Sequence, residues 1–402
     1  MITVHLKPHK EESLLRFHPW VFSGAIRSIE LDADYPHTQP QEGEIVKVLD
    51  CKGNILGVGH YQIGSIAVRI LEFGVGELPT DFWKKRIATA YDVRESLGLI
   101  TAENNTYRLI HGEGDFLPGL IVDVYADTAV IQAHSVGMHN HREEIAEAIV
   151  EAVEQVDKVY YKSDDTLPHK ANIQGNRVGY LIGADNVEDK EFWAKENGLS
   201  FRIDWLRGQK TGFFIDQRDN RALLEQYAKD KDVLNMFCYT GGFSVYALRG
   251  GAKKVHSVDV SQKAVDLVRS NVAYNFGEAA PHEAFAEEAF DFMTKNTNTY
   301  DLIILDPPAF AKHRDAVKNA LRGYQRLNAK GIQSIRPGGI LFTFSCSQAI
   351  DKDMFRLAVF SAAAQVGRKV RILHQLHQPA DHPINIYHPE GEYLKGLVLQ
   401  IE

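Results

Sequence analysis

Cysteine is scarce in this chain: only Cys51, Cys238 and Cys346 occur among 402 residues. Three thiols cannot all pair, so a disulfide framework is excluded and a reducing, cytoplasmic setting is expected. No apolar run approaches the roughly 20 residues that a membrane-spanning helix requires. The opening Met-Ile-Thr-Val-His-Leu-Lys-Pro-His-Lys lacks the apolar core of a secretory signal, which argues against export. A basic excess is missing as well. The net charge of −8 does not fit a nonspecific nucleic-acid binder, although recognition of one folded RNA site by local basic patches stays open. Repeats and low-complexity segments are also absent. What is present is a composition of 44% hydrophobic and 24% charged residues, typical of a globular chain. Its length calls for two or three domains.

Three stretches differ in rhythm. Residues 1–72 carry short strand patterns at 3–6, 44–49, 55–60 and 65–71, separated by turn residues and a loop over 34–43, as in a small β-barrel. Residues 75–195 predict a central α+β module. In it a helix over 81–98 buries Trp83, Ile87, Ala90 and Leu97, and a second helix aligns Ile145, Ala148, Ile149, Ala152 and Val153. Strands are expected at 119–125, 129–133, 157–162 and 179–182. From 196 to 402 strands and helices alternate. Strands at 232–237, 254–260, 283–286, 301–305 and 339–345 are interleaved with helices at 242–249, 261–275, 288–295, 314–335 and 351–366. Two closing strands follow at 369–377 and 395–401. Such alternation predicts an α/β, doubly wound sheet.

Residues 233–244 form a strand, a glycine turn and a helix start, and Gly241 and Gly242 let the backbone pass close to a ligand. Asp259 ends the next strand pattern 18 residues after Gly241, where an acid suits a ribose diol. The G-x-G-x-x-G fingerprint is missing, so a nicotinamide dinucleotide would lack its pyrophosphate cradle. S-adenosylmethionine has no phosphate and needs none. Upstream, residues 210–221 read Lys-Thr-Gly-Phe-Phe-Ile-Asp-Gln-Arg-Asp-Asn-Arg. There Asp216 can hold a cationic amino-acid end, Phe213 and Phe214 can pack on apolar surfaces, and Arg218 and Arg221 can pair with a carboxylate or phosphate.

Two further strand patterns end in Asp306-Pro307-Pro308-Ala309-Phe310 and in Phe344-Ser345-Cys346-Ser347. In an open α/β sheet both ends face the ligand crevice. Carbon 5 of cytosine is too weak a nucleophile to take a methyl group unaided. A thiolate adding to carbon 6 converts the ring to an enamine and activates carbon 5. The Cys346–Asp306 pair therefore points to methylation of a base at carbon, with Asp306 on the nitrogen edge and Phe310 against the face of a flipped base. Methylation at nitrogen needs no thiol. Cys238, under the glycine turn, is expected to be structural and Cys51 incidental.

These segments together closely resemble the bacterial PUA-domain-containing 23S rRNA (cytosine-5)-methyltransferases, a class I S-adenosylmethionine-dependent family. The likeness spans nearly the whole chain. It includes residues 13–25 near the start, Arg-Leu-Ile-His-Gly-Glu-Gly-Asp-Phe-Leu-Pro-Gly-Leu-Ile-Val-Asp at 108–123, and the tail motifs at 380–383 and 389–396. The resemblance implies a PUA-like barrel at 1–72, the central α+β module at 75–195 and a class I methyltransferase domain at 196–402. It implies Cys346 as the nucleophile and Asp306 as the base-orienting acid. Lys210, Thr211, Phe213, Asp216 and Arg218 are then cofactor residues, together with Asn235, Phe237, Tyr239, Thr240, Gly241, Asp259, Glu288, Asp306 and Pro307. Pro308 and Phe310 would meet the substrate. No second thiol follows the Asp-Pro pair, so a single cysteine must both attack and leave.

Two features depart from the family. Glu287-Glu288 stands where an aspartate is usual near the adenine, and Lys7, Lys10, Arg16 and Arg27 are interspersed with Glu11, Glu12, Glu30 and Asp32. The implied partner is 23S ribosomal RNA or a subunit precursor, with a homodimer as one assembly. The rival readings are a guanine nitrogen methyltransferase, a noncatalytic RNA-binding assembly factor and a nicotinamide-dependent oxidoreductase.

Overall fold

The computed structural model describes residues 2–168, 173–183, 191–311 and 313–402. The chain forms two compact units: Met1–Glu191 with Asp204–Gly212 and Ala380–Gly391, and Phe192–Ile203 with Phe213–Pro379 and Glu392–Glu402. Segments 204–212 and 380–391 thus fold with the first unit, not with the α/β region that a division at 196 gives them to. The cause is long-range bonding. The Thr211 hydroxyl donates to Asp123 Oδ2 at 2.6 Å, and the Asp381 carboxylate accepts from the Arg108 amide at 3.1 Å.

Among the described residues, the first unit holds two sheets. One has six strands in the order Trp20–Phe22, Ile66–Phe73, Ile55–Tyr61, Ile45–Leu49, Ile2–Leu6, Ile26–Glu30. Val4, Val46, Val48, Val58 and Val68 are fully buried beneath it. Two of its strands, Trp20–Phe22 and Ile26–Glu30, went unnoticed in the sequence because one is three residues long and the other is half polar. The second sheet orders Val178–Ile182, Lys158–Lys162, Thr128–Ala133, Leu120–Tyr125 and Thr106–His111, and helices Phe82–Ser96 and Arg142–Ala152 accompany it. Leu97 is not buried as expected. It is the C-cap of its helix, beyond the last apolar turn, and 45% exposed. The buried place one turn earlier goes to Arg94, whose charge is met by Asp115.

The second unit begins with the hairpin Phe192–Glu196/Leu199–Ile203, followed by helix Arg218–Tyr227. Its sheet has seven strands: β1 (Asp232–Met236), β2 (Lys254–Asp259), β3 (His282–Ala286), β4 (Tyr300–Leu305), β5 (Ile335–Ser345), β6 (Val370–His377) and β7 (Lys395–Ile401). The spatial order is β3-β2-β1-β4-β5-β7-β6. The first five strands run parallel, and β7 pairs antiparallel with both β5 and β6. Helices Gly242–Arg249, Gln262–Phe276, Ala289–Lys295, Val317–Ser334 and Lys352–Val366 make the crossovers. Covered on both faces, the central strands are apolar throughout: all five residues of β1 are buried. The winding reverses between β1 and β4, which opens a crevice beyond their carboxyl ends.

Candidate active site

Five parallel strands end at one edge of this sheet. The residues that follow β1, β2, β4 and β5, or close them, are Phe237, Asp259, Asp306 and Cys346, and Glu288 lies two residues after β3. Each is a residue the sequence had singled out, and the sheet brings them to a common side.

The loop after β1 is strained. Phe237 (φ 58°), Tyr239 (φ 46°) and Gly241 (φ 79°) all adopt left-handed backbone. Bulky residues rarely sit there, and such strain concentrates at functional sites. The loop persists because its surroundings hold it. The Tyr239 amide donates to Asp259 Oδ2 at 3.1 Å, and the Cys238 amide to the Val258 carbonyl at 3.1 Å. The Thr240 carbonyl accepts from Asn271 Nδ2 at 2.8 Å. Asn235, fully buried, donates to Ser244 Oγ at 2.9 Å, and its own carbonyl oxygen has no partner among the described residues. Burial, with the Asp259 charge, pushes the Cys238 thiol well above its usual range, which suits a structural residue.

The glycines are required by the protein's own packing. A Cβ on Gly241 would lie 2.7 Å from Val268 Cγ1, and one on Gly242 2.8 Å from Arg221 Cδ. Gly241→Ala is therefore expected to cost about 2 kcal/mol through clash and left-handed strain. It should also weaken S-adenosylmethionine binding in calorimetry; a variant melting within about 1 °C of the parent would contradict this packing.

The segment before helix Arg218–Tyr227 abuts this loop, with the Phe214 ring edge-on to Tyr239 at 5.1 Å. Phe213 is buried against Phe201 at 5.0 Å. Asp216 Oδ2 accepts from the Tyr393 hydroxyl at 2.7 Å. Arg218 is only 2% exposed, and its Nε lies 3.4 Å from Asp219 Oδ1. The carboxylate that Arg221 meets is internal: Glu196 accepts from its Nε at 2.9 Å and its Nη2 at 2.7 Å. Glu288 caps helix Ala289–Lys295, accepting from the Phe290 and Asp291 amides at 2.7 and 3.3 Å. Lys210 is exposed and Thr211 buried in the first unit, where the Thr211 hydroxyl is shared between Asp123 and Tyr125.

At the ends of β4 and β5, Cys346 Sγ lies 4.0 Å from the Pro307 carbonyl oxygen. Cys346 and Asp306 are each partly exposed, Pro307 is buried and Pro308 open to solvent. The Phe310 ring packs on Tyr324 at 4.6 Å while staying 36% exposed. Tyr324 bonds Ser347 Oγ at 2.8 Å, and Ser347 Oγ accepts from the Ala311 amide at 3.2 Å, so one polar bridge fastens the two strand ends together. Sequence reasoning missed Lys395. Although it lies within the Glu-Tyr-Leu-Lys-Gly motif at 392–396, it is a buried ammonium donating to the Ser347 and Ile350 carbonyls at 2.6 and 2.5 Å.

A doubly wound sheet in this order, with Asp259 and Asp306 at its strand ends, is an architecture that takes ligands in the crevice beyond the carboxyl ends of its strands. Residues 108–391 match the model of the S-adenosylmethionine-dependent methyltransferase family, and residues 4–73 match that of a PUA-like domain. The chain belongs to this methyltransferase family, and S-adenosylmethionine is its cofactor. It is 38% identical over 403 residues to a Tolumonas auensis protein named ribosomal RNA large subunit methyltransferase I, covering 99% of each chain. A Pseudoalteromonas atlantica protein of the same name is 40% identical over 404 residues, again covering 99% of each. Two solved structures share the fold over 100% of both chains. One is described as an S-adenosylmethionine-dependent methyltransferase from Streptococcus mutans (TM-score 0.81, 23% identity). The other is a methyltransferase complexed with S-adenosylhomocysteine (TM-score 0.83, 24% identity). Among the described residues no helix is long and apolar enough to cross a membrane.

Proposed function

We propose that this protein methylates ribosomal RNA of the large subunit at carbon 5 of a cytosine, through a transient bond between Cys346 and carbon 6. The RNA substrate is suggested by the names of relatives matching end to end and by the PUA-like domain. The chemistry rests on one observation above all: a partly exposed thiol at the end of β5, 4.0 Å from the backbone of the Asp306-Pro307 turn.

Bound S-adenosylmethionine supplies an electrophilic methyl group. Asp216 and Asp259 would be the carboxylates to hold its ammonium and ribose, with the 237–241 loop giving backbone contacts and Glu288 available to the adenine. A flipped cytosine rests against Phe310 and Pro308, with Asp306 on its nitrogen edge. The Cys346 thiolate bonds to carbon 6, carbon 5 takes the methyl group as the methyl–sulfonium bond breaks to leave S-adenosylhomocysteine, and loss of the carbon-5 proton to water or a base expels the thiolate and restores the ring double bond.

RNA carrying 5-fluorocytosine at the target tests this directly. Fluorine cannot leave as a proton does, so the adduct should accumulate as a denaturation-resistant complex, with mass spectrometry assigning the linkage to Cys346. Absence of adduct from an enzyme that methylates the ordinary RNA would favour attack by a base nitrogen. In cells lacking the gene, mapping of ribosomal RNA should show the loss of one 5-methylcytosine.

A further inference from the structure

A nucleophilic thiol at the end of a strand needs a positive charge to exist as thiolate near neutral pH, since free cysteine titrates near 8.5. Lys395 supplies one from the neighbouring strand. It opens β7 directly opposite Ser345, the last residue of β5. Its side chain is 7% exposed. Two of the three N–H donors of its ammonium go to the carbonyls of Ser347 and Ile350, which follow Cys346 in the turn after β5. The bond to Ser347 brings the ammonium to the residue next to Cys346, and the Cys346 charge favours the protonated lysine.

We propose that Lys395 is the positioning residue of the Cys346 thiolate: it clamps the turn after β5 through two carbonyls and sets a fixed cation beside the sulfur. The inference rests on the reading of Cys346 as nucleophile. The same cation serves both halves of the cycle, because it stabilises the thiolate before attack and again when the carbon–sulfur bond breaks.

The charges around the pair agree with this role. Burial pulls Lys395 down to about 8, while Cys346, Glu392 and Asp351 pull it up, so the ammonium is charged at pH 7 and is lost only as pH rises through that value. Tyr324, on helix Val317–Ser334, bonds Ser347, the residue after Cys346, at 2.8 Å. Burial raises its hydroxyl above the ordinary value and keeps it neutral, so it does not compete for the cation. Asp306, which follows β4 at the neighbouring strand end, is a carboxylate of the same site, and a carboxylate there opposes thiolate formation. A cation on the β7 side offsets it.

Alkylation of Cys346 by iodoacetamide, followed peptide by peptide against pH, tests the proposal without RNA or turnover. Lys395→Gln keeps two N–H donors for the carbonyls but no charge, whereas Lys395→Arg keeps both. At pH 7 the glutamine protein should be alkylated at Cys346 about tenfold more slowly than the parent, with its profile shifted to higher pH by about one unit. The arginine protein should stay within about threefold of the parent. A glutamine profile superimposed on the parent's overturns the proposal. Should the glutamine protein fail to bind S-adenosylmethionine, the arginine protein decides: a folded arginine variant with strongly reduced Cys346 reactivity overturns it equally. Because alkylation does not depend on which atom is methylated, failure here is distinct from failure of the carbon-5 reading, which an active Cys346→Ala enzyme would show.

Discussion

Cys346→Ala is expected to lower methyl transfer by at least about 10³-fold, since removing a covalent nucleophile leaves only binding and orientation to act on an unactivated ring. The loss should fall on kcat. Affinity for S-adenosylmethionine should stay within about threefold, because the thiol is partly exposed and the Tyr324–Ser347–Ala311 bridge still ties the two strand ends together. The alanine protein should melt within a few degrees of the parent. Measurement requires single-turnover methylation of large-subunit RNA with labelled cofactor. A Cys346→Ala enzyme keeping more than about a tenth of the parent rate would exclude the covalent route and make nitrogen methylation the better reading.

Glu196→Ala should produce the largest loss of stability. Glu196 is fully buried, binds both nitrogens of the Arg221 fork, and accepts from the Tyr246 hydroxyl at 2.9 Å. Burial works against the Arg221 charge, but Glu196 outweighs it and holds the guanidinium above its ordinary value. Removing the acid strands a charge in the interior, at a cost of about 3–5 kcal/mol. The melting point of the second unit should fall by on the order of 10 °C. Arg221 also donates to the Phe214 carbonyl at 3.0 Å and lies against Gly242, so the cofactor loop should loosen and S-adenosylmethionine affinity fall with it. A double variant, Glu196→Met with Arg221→Met, should recover much of the stability, since no unpaired charge remains. A shift of under about 2 °C in Glu196→Ala would show that the pair carries little.

Arg221 illustrates the limit of reading a chain locally. Its sequence surroundings suggested a carboxylate or phosphate without saying whose, and the partner is a carboxylate 25 residues upstream, on a hairpin with no strong strand signal. Glu288 is a similar case. The side chain named for the cofactor caps its own helix through one oxygen, which is a bond that spacing does not reveal.

The sequence by itself determined the alternation of strand and helix from residue 232 to the end, the methyl-donor class of the site, and the placing of Asp306 and Cys346 at neighbouring strand ends. Each follows from local period, from glycine spacing, or from the rule that parallel strands open their carboxyl ends together. Only the tertiary structure decided that segments 204–212 and 380–391 fold with the first unit, that Phe237 and Tyr239 turn left-handed, and that a lysine from the last strand lies beside the thiol. These depend on which distant residues meet, through antiparallel register and buried hydrogen bonds, and no window of neighbouring residues carries that information.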